Sequence, residues 1–132
     1  MIEIEGRRRS VATASVAASL LVVIGTGART AEAGTLLSQG KPATASSTEG
    51  AGFEAAKAAD GSTATRWASV EPATTTQWIS VDLGATVTID RVVLNWEAAY
   101  AKSYQIQVSS NPSTWTSVFT TTTGNGSIDD QA

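Results

Sequence analysis

A two-residue apolar period constrains this chain more than any other feature. In Trp78-Ile79-Ser80-Val81-Asp82-Leu83, the side chains of Ile79, Val81 and Leu83 share one face of an extended backbone. Tyr104, Ile106 and Val108 alternate with Gln105 and Gln107, the pattern of a half-buried strand. Val87, Ile89, Val92 and Leu94 predict a further strand pair running to Trp96. Turn signals separate these runs at Gly84, at Asn111-Pro112 and at Gly124-Asn125-Gly126. The Thr-rich segment from Trp115 to Thr122 is β-prone. Residues 36–52, rich in Ser, Thr, Ala and Gly, predict a loop with one short edge strand. Phe53 to Ala59 is the only helix-like stretch, about two turns long. Short strands at regular turn spacing predict an all-β domain, a β-sandwich or jelly roll.

The 132 residues are enough for one small domain. A net charge of −3 argues against nucleic acid as the partner. The chain has no Cys and no His, which excludes cysteine nucleophiles, His-dependent triads and the usual zinc sets. The first 33 residues read as an export leader. Arg7, Arg8 and Arg9 form a basic cluster, Val11 to Ile24 is small and apolar, and Ala31-Glu32-Ala33 places small residues where cleavage would fall. The apolar run is too short, and too rich in Ala, Ser and Thr, for a membrane span. The arginine run also resembles a weak twin-arginine signal. The expected products are a leader, 1–33, and a secreted, extracellular domain, 34–132. Ile4-Glu5-Gly6-Arg7 also matches a common engineered protease site and is set aside from fold reasoning.

Residues 60–67, Asp-Gly-Ser-Thr-Ala-Thr-Arg-Trp, are short, oxygen-rich and closed by a cation and an indole. Three readings stand side by side: a polar turn capped by Asp60, a cation loop, and the rim of a binding site. Trp67 and Trp78 lie at strand edges, where a buried indole is the default.

The ordered stretches "AADGSTATRWAS", "QWISVDLG", "VVLNWEAAYAKSYQIQVS" and "WTSVFTTTTG" resemble the discoidin, or factor 5/8 type C, domains. They are most similar to the family 32 carbohydrate-binding modules of secreted bacterial glycoside hydrolases, over residues 35–128. The resemblance implies a discoidin-like sandwich, incomplete here at its C-terminal side, because family members continue with a further strand pair. It implies a structural calcium site formed by Lys57 and Ser62 carbonyls, the Asp60 carboxylate, and the Thr65 carbonyl and hydroxyl, with further ligands from the absent segment and hence weak affinity. It also implies a sugar site on the loops at one end. Relatives of the chitosan- or β-1,3-glucan-binding type use loop glutamates, an arginine and aromatics, and the matching positions are Glu49, Arg66, Glu71 and Glu97. Glu71 replaces an expected aromatic. Trp96 and Tyr100 join the candidate set, Trp96 as core or ligand wall. Ala68 stands where galactose-binding relatives carry His.

The function expected is a non-catalytic module that targets a glycoside hydrolase to chitosan or β-1,3-glucan. The alternative is a fragment of a chitosanase or glucanase whose catalytic domain lies outside this chain. Glu71 and Glu97 as a glycosidase acid–base pair is a weaker reading, because a small sandwich offers little of the burial that raises a carboxyl pKa. A membrane-binding discoidin domain is disfavoured by glutamates at the loop tips, which anionic lipid repels. A monomer is expected.

Overall fold

The computed structural model describes residues 1–7, 17–24, 35–71 and 75–132. Two antiparallel sheets enclose one core. The first has the order β4 (Ala43–Ala45), β6 (Gln77–Val81), β1 (Ile2–Arg7), β8 (Ser103–Asn111) and β9 (Thr114–Thr121). The second runs β10 (Ile128–Gln131), β7 (Arg91–Trp96), β2 (Ala17–Ile24) and β3 (Thr35–Leu36), with β5 (Trp67–Ala68) also on β2.

The alternation seen in the sequence becomes the inner face of the first sheet. Ile4 stands opposite Ile79 on one side and Ile106 on the other. These three, with Ile2 and Val81, are buried against Val92, Leu94 and Trp96 of the second sheet. Burying a side chain of this size contributes roughly 1.5–3 kcal/mol, so this row is a main source of cohesion. Asp129, on β10, ties the two sheets together. Its Oδ2 accepts the Trp96 indole N–H at 2.7 Å and the Tyr104 hydroxyl at 3.0 Å. The rings of Trp96 and Tyr104 lie 5.3 Å apart, centroid to centroid.

Several elements differ from the sequence expectation. The helix-like stretch is a single 3-10 turn, Ala55–Ala58, with Ala55 and Ala58 buried. Gly52 and Gly61, at φ of 90° and 82°, bound the segment and leave no room for a longer helix. The strand pair expected from Val87 to Trp96 is one strand, because 82–90 run without ladder partners and Val87 is exposed. Gly124 and Gly126 form the expected turn, but the chain then re-enters the second sheet as β10. Trp67 is fully buried and donates its indole N–H to the Ser47 carbonyl at 2.9 Å. Trp78 is only half-buried, since β6 turns it to the face opposite Ile79.

Residues 2–7 and 17–24, read in the sequence as leader, are the central strands of the two sheets. Residues 8–16 and the Ala31-Glu32-Ala33 cleavage motif lie outside the described residues.

Candidate functional site

The loop after the 3-10 turn is built around Asp60. Its Oδ1 accepts the Ser62 N–H at 2.8 Å, and its Oδ2 accepts the Thr65 hydroxyl at 2.7 Å. The Thr65 hydroxyl also lies 3.4 Å from the Ser62 carbonyl. The Thr65 hydroxyl, then the Ser62 amide, hold the Asp60 carboxyl below its ordinary range, with a smaller contribution from the Lys57 cation. A carboxylate, a hydroxyl and a carbonyl therefore converge, the donor chemistry of a hard cation. The set is sparse, and the field of Lys57 opposes a second positive charge. No group of three His, Cys, Asp or Glu able to hold a metal occurs among the described residues.

This loop leads directly into Arg66 and β5. The Arg66 guanidinium carbon lies 4.7 Å from the centre of the Phe53 ring, a cation–π arrangement. Its Nε is buried and has no hydrogen-bond partner among the described residues. Arg66 forms one wall of a small cleft of about 160 Å³ between residues 63–66 and 95–97. Asn95, Trp96 and Glu97 form the other wall, at the end of β7. Glu97 is exposed, and its Oε2 accepts the Ala99 N–H at 3.1 Å, which fixes the carboxylate at the loop tip.

Three of the six sugar-site candidates, Arg66, Trp96 and Glu97, thus line one cleft. Glu49 and Glu71 lie outside its lining. The Glu49 N–H donates to the Ala68 carbonyl at 2.8 Å, so its backbone braces β5. Tyr100 also lies outside the lining. It packs on the core, with its ring against Gly126, where an added Cβ would lie 2.6 Å from the ring. Trp96 is both core and wall, since its indole nitrogen is taken by Asp129 while the residue lines the cleft. Sequence reasoning missed Asn95, which lines the cleft, and Phe53, which supports Arg66. For Asn95, a polar residue directly before Trp96-Glu97 at the end of a strand was an available signal.

The F5/8 type C domain model matches residues 42–132. The chain belongs to the F5/8 type C domain family. Among curated proteins, no sequence matches it. Among solved structures, this F5/8 type C domain is similar to chitosan-binding module 1 of a chitosanase/glucanase from Paenibacillus sp. IK-5. The identity is 61% over 71% of this chain and 73% of that one, with a TM-score of 0.64. A selenomethionine-labelled variant of that module gives 60% identity, 72% and 73% coverage, and a TM-score of 0.65. Chitosan-binding module 2 of the same enzyme, in complex with chitotriose, gives 52% identity, 71% and 74% coverage, and a TM-score of 0.66.

Proposed function

We propose that this F5/8 type C domain is a non-catalytic module that binds glucosamine oligosaccharides in the cleft between Arg66 and Glu97, and that it serves a glycoside hydrolase acting on chitosan or a related glucan. The observation that carries the reading is that cleft, in a fold 52–61% identical to chitosan-binding modules. A glucosamine unit carries an ammonium and several hydroxyls. The Glu97 carboxylate pairs with the ammonium through a charge-assisted hydrogen bond. The accessible guanidinium nitrogens of Arg66 donate to a hydroxyl or ring oxygen, and Phe53 holds the guanidinium in place. Asn95 and the Thr63 hydroxyl suit the remaining polar groups. Glu71 lies outside the cleft that Glu97 lines.

Calorimetric titration with chitotriose and with a β-1,3-glucan trisaccharide, at low and high salt, tests this. Chitotriose is expected to bind more tightly, and its advantage to shrink as salt screens the charges. Equal affinity for the two sugars at low salt would remove the electrostatic basis of the reading. Calcium, as a second ligand, is proposed to bind weakly at Asp60, Ser62 and Thr65, supplying a charge that braces the loop leading into Arg66. A site of this kind raises melting temperature only once calcium exceeds its dissociation constant, so a shift is expected at millimolar and not at micromolar calcium.

A further inference from the structure

We propose that Asn125 is a site of self-modification: the Gly126 amide nitrogen closes on the Asn125 carboxamide, and the isoaspartate that results releases the loop that holds Trp96 at the wall of the cleft.

The chemistry begins with residue order. An asparagine carboxamide and the amide nitrogen of the next residue can close a five-membered ring. A side chain on that next residue hinders the approach, and glycine has none. Asparagine counts among the thermolabile residues. This chain has asparagines at 95, 111 and 125 and one Asp-Gly pair, Asp60-Gly61, where the same ring can form.

The fold separates these places. Asn111 precedes Pro112, which has no N–H to lose. Asn95 lies inside β7, in register with Ile128 on one side and Ser19 on the other, and precedes the bulky Trp96. The Asp60 carboxylate is held at both oxygens, by the Ser62 N–H at 2.8 Å and the Thr65 hydroxyl at 2.7 Å. A carboxylate held in this way does not swing toward the next nitrogen. Asn125 meets none of these obstacles. It is exposed and lies between β9 and β10. Among the described residues, neither its carboxamide nor the Gly126 N–H makes a hydrogen bond.

Anchors on both flanks tie Asn125 to the cleft. The Gly124 N–H donates to the Lys102 carbonyl at 2.8 Å, and the Ser127 carbonyl accepts the Trp96 N–H at 2.7 Å. Gly126 and Ser127 both have left-handed φ, 75° and 68°. Ser127 is the one non-glycine residue of this kind among the described residues, and its side chain disfavours the conformation. Such a backbone state persists only while its surroundings hold it. Gly126 presses on the Tyr100 ring, where an added Cβ would lie 2.6 Å away. The path from Asn125 to Trp96 therefore has no slack.

The reaction needs only water. The Gly126 nitrogen gives its proton to solvent base and bonds to Asn125 Cγ. The Cγ–Nδ2 bond breaks, and ammonia leaves with a proton from solvent. Water then opens the cyclic imide at one of its two carbonyls. Attack at Cγ breaks the new bond and gives aspartate on the original backbone. Attack at the main-chain carbonyl of residue 125 breaks its bond to the Gly126 nitrogen and gives isoaspartate, whose backbone runs through Cβ and Cγ.

The isoaspartyl backbone is one atom longer between 125 and 126. With Gly124 anchored, that atom displaces Gly126 from Tyr100 or the Ser127 carbonyl from the Trp96 N–H. Asp129, which accepts the Trp96 indole N–H, follows closely on β10. Aspartate leaves every anchor in place. Given the function proposed above, isoaspartate weakens sugar binding as well as stability, and aspartate weakens neither.

The full chain, aged in warm, mildly alkaline buffer, tests this by mass, peptide fragmentation and isoaspartyl methyltransferase labelling. A gain of about one mass unit is expected, located at Asn125 and absent from Asn125→Ser. No gain, or an equal gain in Asn125→Ser, would overturn the site. The isoaspartyl fraction, separated by chromatography, is expected to melt several degrees below fresh chain and to bind chitotriose severalfold more weakly. Asn125→Asp is expected to match fresh chain in both. An isoaspartyl fraction that melts with fresh chain would overturn the link to Trp96, and an equal loss in Asn125→Asp would overturn the backbone account in favour of charge. If fresh chain does not bind chitotriose while the mass gain and the melting shift both appear, the site stands and the sugar-binding proposal falls.

Discussion

The two ends of the sandwich offer unequal cavities, and the smaller one carries the chemistry. One end holds the cleft of about 630 Å³ beside residues 82–87 and 108–111. It is lined mostly by Met, Leu, Ile, Val, Gly, Ala, Ser and Thr, with Asn111 and with Asp82 as the only charged side chain among the described lining residues. The cleft described at the other end is about 160 Å³, but a guanidinium, an indole, an amide and a carboxylate line it, from just before β5 and from the end of β7. Volume measures where strands diverge. Recognition of a hydrated sugar needs fixed donors and acceptors, and those are concentrated where β5 begins and β7 ends. The same end also holds the Trp96–Asp129–Tyr104 clasp, so ligand wall and core share one residue.

Trp96→Ala cuts deepest into this comparison, because it removes the clasp and a wall of the cleft together. A loss of about 3–5 kcal/mol of stability is expected in denaturant unfolding, with no detectable sugar binding. Asp129→Ala should cost less, about 1–3 kcal/mol, by stranding the Trp96 and Tyr104 donors. It leaves the cleft's own groups in place, so affinity measured on the folded fraction should fall less than for Trp96→Ala. The clasp also has a pH signature. Burial, and then the hydrogen bond to Asp129, raise the Tyr104 hydroxyl above its ordinary value of 10. The folded state therefore favours the neutral phenol. Its contribution is complete below pH 10 and is lost as pH rises beyond it. Melting temperature against pH should show this alkaline loss, and Tyr104→Phe should remove it.

Arg66→Ala sharpens the comparison from the ligand's side. Chitotriose affinity should drop about tenfold, or about 1.4 kcal/mol, by titration calorimetry. Stability should change little, since what is lost is the cation–π contact with Phe53, worth about 0.5–1 kcal/mol at a partly exposed site. Glu97→Gln is the smallest effect. An exposed ion pair is worth about 0.2–1 kcal/mol, so affinity should fall two- to fivefold at low salt and barely at high salt.

Much of this was legible in the sequence, for local reasons. Ile79, Val81, Tyr104 and Ile106 alternate over distances a reader can scan, and their strands form as expected. Arg66 and Glu97 stand out by type against small neighbours. Residues 17–24 are ambiguous in the sequence, because a short, continuous apolar run fits a leader and a central strand equally well, and periodicity cannot separate them. Tyr100, like Trp96, reads in the sequence as either core or ligand wall. Its contact with Gly126 joins positions far apart in the chain and leaves no local signal. Asp129 was missed for the same reason, as its partners lie on β7 and β8.

The most direct test of the central claim is a chitotriose titration followed by amide chemical shifts across the whole domain. The largest shifts are expected at Thr63 to Arg66 and at Asn95 to Glu97, with little change at Gly84, Ser109 or Asn111. Shifts concentrated at that second set, with Arg66 and Glu97 unmoved, would place the sugar in the larger cavity and contradict the assignment of function to the smaller one.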